Sequence, residues 1–189
     1  MLINHTTKNY WWGPMRTGSR EVGRFLKENG FELVGGEHEP IIVDGSHLFL
    51  NCRNPYTRMV SWWKFRTKQT DPLIDQDGRE IYTNDDTTFE EWVMGNNEYY
   101  GQIEGPWDYV KIIKDNNIPF TKIPLEDLSI LSTFGQYSNR GSGVWQKPTS
   151  ETIKPYREYY TPILAHRVYD MLKDEFEMMG YERDSWKTI

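Results

Sequence analysis

Residues 9 to 15, NYWWGPM, are apolar and β-prone, and they pass without a linker into RTGSREVGRFLKENG, where Val22, Phe25 and Leu26 fall on one helical face. The unit is a strand, a tight loop and a helix. Gly30 stands where a helix closes in the left-handed conformation. FELV at 31 to 34 reads as a second short strand, and HLFLNC at 47 to 52 as a third that ends at Arg53 and the helix breaker Asn54-Pro55. Strands alternating with helices predict an α/β chain, with a mostly parallel central sheet flanked by helices. At 189 residues there is room for one domain with a real core, so residues 1 to 189 are expected to form a single unit.

Further along, Tyr56 to about Lys68 has a helical pattern with Pro55 in its first turn, where a missing N–H costs nothing. TDPLIDQDGREIYTNDD is polar and rich in turn formers, and Thr87 or Thr88 then caps a short helix, TFEEWVMG. PWDYVKIIKDNN reads as a helix, IPFTKIPLEDL as a strand leading into a turn, and STFGQYSNRGSGVWQKP as a Gly/Ser-rich loop. In YYTPILAHRVYDMLKDEFEMMGY the apolar positions from Ile163 to Phe176 keep helical spacing until Gly180.

A net charge of −6 gives no bulk attraction to nucleic-acid backbones or anionic lipids, so any bound anion must sit in a local pocket of Arg, Lys and backbone N–H groups. The single cysteine, Cys52, permits no internal disulfide. No apolar run approaches the length of a membrane span, and the opening MLINHTTKNYWWG lacks the apolar core of a signal peptide. A soluble, cytoplasmic protein with no nucleic-acid or membrane partner is expected.

Two stretches carry chemistry. The loop Met15-Arg16-Thr17-Gly18-Ser19-Arg20 aims successive backbone N–H groups and the positive end of a helix at one point, with Gly18 allowing close approach and Arg16 supplying charge. It lacks the glycine spacing and the Lys-Ser/Thr pair of a nucleoside-triphosphatase loop. Arg53 falls at the end of a strand, at the sheet edge where such folds bind ligands, and Ser61 follows eight residues later. Arg58 and Lys64 in the same stretch read as a solvated charged face.

RNPYTRMVSWW closely resembles the 3′-phosphate-binding motif of sulfotransferases that use 3′-phosphoadenosine 5′-phosphosulfate (PAPS), and RTGSRE resembles their 5′-phosphosulfate loop. FTKIPLEDL is similar to the family's strand ending in an acidic-Leu pair, and YYTPILAHRVYDMLKDEFEMMGY to the C-terminal helix of its carbohydrate branch. The matches run in family order from about residue 10 to 181. The resemblance implies the P-loop-like sulfotransferase fold, PAPS as donor, adenosine 3′,5′-bisphosphate (PAP) as product, no metal, and a hydroxyl acceptor on a glycan. It assigns Arg16, Thr17, Gly18 and Ser19, with Arg20 beside them, to the 5′-phosphosulfate, and Arg53 and Ser61 to the 3′-phosphate. Arg140 in YSNRGSG resembles a basic loop that closes over the nucleotide. Arg16 stands where the family usually has Lys, and Arg20 and Glu21 where hydroxyl residues are usual. An arginine keeps its proton, so Arg16 can stabilise charge on the leaving oxygen but not protonate it.

The resemblance also calls for a base after the second strand, which His38 in GGEHEP supplies, with Glu37 or Glu39 to orient the ring or to act in its place. His47 reads as structural on one sheet face with Phe49 and Asn51, and His166 and His5 as surface residues. Trp62, Trp63, Trp92, Tyr99, Tyr100 and Trp107 could pack on sugar rings, although for any one of them the core is the simpler place. Two other functions compete: a non-catalytic adenine-nucleotide-binding relative of the fold, and a small P-loop-like kinase. The kinase would need a metal-binding hydroxyl and an acidic pair tied to its phosphate loop.

Overall fold

A computed structural model describes residues 1–36, 46–67, 73–74, 80–81, 87–95, 108–137 and 154–189. The strands in chain order are β1 (Leu2–Asn4), β2 (Asn9–Trp12), β3 (Glu32–Leu33), β4 (His47–Cys52), β5 (Leu73–Ile74), β6 (Glu80–Ile81) and β7 (Phe120–Pro124). The helices are α1 (Ser19–Glu28), α2 (Pro55–Thr67), α3 (Phe89–Met94), α4 (Tyr109–Asp115), α5 (Pro162–Met171) and α6 (Lys173–Met179). The chain divides into two compact units, one of Met1–Asn54 with Glu104–Ile153 and the other of Pro55–Ile103 with Lys154–Ile189.

The first unit holds a five-stranded sheet in the order β3-β1-β2-β4-β7. β2, β4 and β7 run parallel, as the strand–helix alternation predicts, but β1 is antiparallel to both β2 and β3. The α/β class therefore stands, and the sheet is mixed rather than mostly parallel. The reason lies in the first eight residues. Asn4 accepts the N–H groups of Thr6 and Thr7 on its side-chain oxygen (3.1 and 3.0 Å), and Lys8 takes a positive φ of 54°, which folds β1 straight back on β2. So short a connection can join only antiparallel neighbours. FELV, the expected second strand, shrinks to Glu32–Leu33 and pairs with β1 at the sheet edge.

α1 ends as its sequence predicts. Gly30 adopts φ 82°, its N–H donates to the Lys27 carbonyl, and Phe31 N–H donates to Leu26 O at 3.0 Å. These are the paired bonds of a Schellman closure. Leu26 and Phe31 then enter one core with Leu2, Trp11, Ile123 and Leu131, which packs α1 on the sheet.

The second unit buries a largely aromatic core that includes Tyr56, Trp62, Phe89, Trp92, Tyr160 and Phe176. Trp62 and Trp92 are thus core residues, and Trp63 is half-buried with its indole N–H donated to Thr87 O at 2.9 Å. Tyr99, Tyr100 and Trp107 lie outside the described residues. The Tyr56 hydroxyl donates to the Arg183 carbonyl at 2.6 Å, and burial pushes its pKa up to about 12. Thr88 caps α3 in a full capping box with Glu91. The expected C-terminal helix is two helices with a break at Leu172, closed by Gly180 at φ 68°. No helix among the described residues is long and apolar enough to cross a membrane.

Arg58 departs from its sequence reading. It is buried in α2 and ion-paired with Glu175 of α6, whose side chain is also buried. It therefore belongs to the interior and not to a solvated face. Lys64 lies with its ammonium 4.8 Å from the centroid of the Tyr159 ring, a cation–π contact.

Candidate functional site

Because β2, β4 and β7 are parallel, their C-terminal ends share one edge of the sheet, the edge at which open α/β sheets bind ligands. The chain leaves β2 through Gly13 and Pro14 and enters α1 at Gly18, the N-cap, with φ 83° and ψ 18°. A Cβ on Gly13 would lie 2.5 Å from the Trp11 ring and 2.6 Å from Ser19 Cβ, so the close crossing requires glycine there. Gly18 is doubly constrained. Its φ is left-handed, and a Cβ would stand 2.5 Å from Leu125 Cδ1 at the end of β7. Gly18→Ala is accordingly expected to cost about 1–2 kcal/mol from the backbone alone, measured as a lowered urea midpoint with an unchanged slope.

Arg16 also sits at a positive φ, 66°, which is uncommon for a residue with a side chain and often marks a functional loop. Thr17 between them is fully buried, its hydroxyl donating to Pro14 O at 2.6 Å, so its side chain shapes the loop itself. Ser19 opens α1 and is buried, while Arg20 is exposed. The N-cap provides no side-chain acceptor, and the ten-residue helix turns its positive end toward the loop.

Arg53 follows β4 directly, and its Nη1 donates to the Arg16 carbonyl at 3.4 Å. Two arginines from motifs distant in sequence therefore meet at one sheet edge. Next to Arg53, the Asn54 N–H donates to Glu126 Oε1 at 2.7 Å, and Leu125 N–H donates to Cys52 O at 2.9 Å, which ties the ends of β4 and β7 together. The edge thus carries the Arg53 guanidinium beside the N-terminus of α1, and guanidinium and backbone N–H groups are the donors that suit a multiply charged oxyanion.

Of the sequence-derived residues, Arg16, Thr17, Gly18, Ser19, Arg20 and Arg53 fall in the first unit at or beside this loop. Ser61 is buried on α2 in the second unit. His38, with Glu37 and Glu39, and Arg140 lie outside the described residues. His47 makes an edge contact with Phe49 at 4.9 Å and bonds Thr121 Oγ1 through Nε2 at 2.8 Å. His166 is exposed on α5, 3.3 Å from Asp170. No group of three or more His, Cys, Asp or Glu residues among the described ones could hold a metal ion. A cavity of about 210 Å³ lies along the flank of α1, lined by Ser19, Arg20, Gly23, Arg24 and Lys27 and by Leu2, Trp11 and Leu33; of the candidate residues it takes in Ser19 and Arg20, and Arg16 and Arg53 are not in its lining.

Sequence reasoning missed Asn51. Its side chain is fully buried, accepts the Trp11 indole N–H at 2.7 Å and donates to the Thr17 carbonyl at 3.3 Å. The available signal was an amide between the apolar residues Leu50 and Cys52 near the end of a strand, two positions before Arg53. Comparison of the chain with protein-family models, with curated proteins and with solved structures finds no match.

Proposed function

We propose that the protein is a sulfotransferase that moves a sulfuryl group from PAPS to a hydroxyl, with a carbohydrate as the acceptor class and a soluble, cytoplasmic setting. The observation that carries this reading is the bond from Arg53 to the Arg16 carbonyl, which joins the two stretches that resemble the donor-binding motifs of that family. Arg16, Gly18, Ser19 and the N-terminus of α1 face the 5′-phosphosulfate, with Thr17 shaping the loop and Arg20 at its rim. Arg53 meets the 3′-phosphate. Ser61 and Arg140 are assigned to the nucleotide by sequence resemblance alone.

In the proposed reaction the acceptor oxygen attacks sulfur, the bond from sulfur to the bridging phosphate oxygen breaks, and PAP leaves with the electron pair. Neutral His38 takes the acceptor's proton, and Arg16 meets the charge that grows on the departing oxygen. No step calls for a metal. A non-catalytic nucleotide binder is the second reading, favoured by Glu21 in the first turn of α1, which puts a carboxylate near the anion loop. Arg24 partly offsets that charge at 2.8 Å.

Thermal shift with PAP against ATP and magnesium separates these readings from a kinase: PAP is expected to stabilise the fold without metal by mass action. A preference for ATP with magnesium rejects the proposal. In Arg53→Ala, PAP affinity should fall roughly ten- to over a hundred-fold, the equivalent of one charged hydrogen bond. Unchanged affinity by calorimetry would remove Arg53 from the 3′-phosphate. Turnover should rise with pH as the imidazole loses its proton, and His38→Ala should lose most transfer at nearly constant donor affinity. Near-normal transfer of labelled sulfate by His38→Ala would move the base to Glu37 or Glu39.

A further inference from the structure

We propose that Asn51 is the positioning residue of the anion loop: it holds the Thr17 carbonyl toward the interior and thereby aims the Gly18 N–H at the bound anion. The inference rests on the reading of the Arg16–Ser19 loop as the donor site.

The orientation of the Asn51 amide is fixed by chemistry. An indole N–H can only donate, so the oxygen must face Trp11 at 2.7 Å and the NH₂ must face the Thr17 carbonyl at 3.3 Å. Both bonds are buried, so neither partner has water as an alternative. In a trans peptide the C=O of one residue and the N–H of the next lie in one plane and point in opposite directions. A Thr17 carbonyl drawn toward fully buried Asn51 therefore sends the Gly18 N–H the other way, away from the sheet.

The alternative is a rotation of that single peptide unit. Turning it over would place the Thr17 oxygen, with its partial negative charge, where the anion is to sit, and would carry the φ of Gly18 from 83° into the negative region. Glycine tolerates either sign, so residue 18 does not choose between the two states. The choice falls to Asn51, from a neighbouring strand and without contact with the ligand.

Two variants separate this role from plain core stability. Asn51→Leu keeps the branched shape and removes both hydrogen bonds, whereas Trp11→Phe removes only the bond that the Thr17 carbonyl does not use. The three-bond coupling between the Gly18 amide and α protons reports its φ in the ligand-free protein, and PAP titration with inorganic sulfate as a second probe reports affinity. Asn51→Leu should change the coupling and weaken PAP by roughly ten- to a hundred-fold, while Trp11→Phe keeps wild-type values of both. A wild-type coupling and affinity in Asn51→Leu would overturn the proposal. If that variant does not fold, Asn51→Ala in the Trp11→Phe background removes the indole left without its acceptor and is read the same way. Should the wild-type chain bind neither PAP nor sulfate, the sulfotransferase reading fails, and the ligand-free coupling still decides the role of Asn51.

Discussion

Arg58→Met is expected to lose about 3–5 kcal/mol of folding stability, because it leaves the Glu175 carboxylate buried without its cation. The two side chains are only 7% and 1% exposed, so water cannot replace the lost partner. Glu175 Oε1 has no hydrogen-bond partner among the described residues, which leaves Arg58 as the main compensation for that charge. A domain of ordinary stability holds about 5–15 kcal/mol, so such a loss would be visible as a large fall in the urea midpoint. The double variant Arg58→Met/Glu175→Leu should recover much of it, since an apolar pair of similar volume avoids the desolvation of two ions. A surface substitution would stay within about 0.5 kcal/mol. A result of that size for Arg58→Met would return Arg58 to the solvated face assigned to it by sequence.

Arg16→Ala should lower the rate of sulfuryl transfer by about a hundred- to a thousand-fold, the usual consequence of removing one preorganised donor from a developing oxyanion. In the proposed site PAP affinity should fall less, because Arg53 and the N-terminus of α1 would still meet the ground-state phosphates. Arg16→Lys restores the charge without the planar fork and should recover part of the rate. Transfer of labelled sulfate and calorimetry on the same variants give the two numbers. An affinity loss larger than the rate loss would make Arg16 an anchor for the bound donor instead. Backbone strain does not confuse the comparison, since Ala and Lys meet the same penalty at a φ of 66°.

Legibility in the sequence followed the range of the interaction. Gly30, Gly180 and the Thr88 cap were readable because each acts within one turn of chain, and so was the loop from Met15 to Arg20 between a strand and an amphipathic helix. β1 was not readable, since three residues are too few to show a period, and its absence made the sheet look mostly parallel. The burial of Arg58 depends on Glu175, 117 residues away, and a charge pair at that separation leaves no local pattern. Asn51 was seen only as one of an alternating set with His47 and Phe49, because the pattern assigns a face to a side chain and not a partner. The sequence reads Arg53 and Arg16 each as an anion ligand from its own stretch, but their meeting at one edge follows from the parallel pairing of β2 and β4.

The strands at the two ends of the five-stranded sheet bear on how copies of this chain behave when crowded. A long, flat, uncharged edge invites another strand to pair with it and so to start an aggregate. Here β3 offers only two residues, one of them the exposed Glu32, and β7 carries an exposed Lys122 and finishes in Pro124, which has no N–H to give. Between these ends the apolar runs of β2 and β4 are flanked on both sides by partners. Lys122→Val with Glu32→Val would remove both charges from the edges, and the cost would appear as concentration-dependent self-association and not as a lower stability of the single chain.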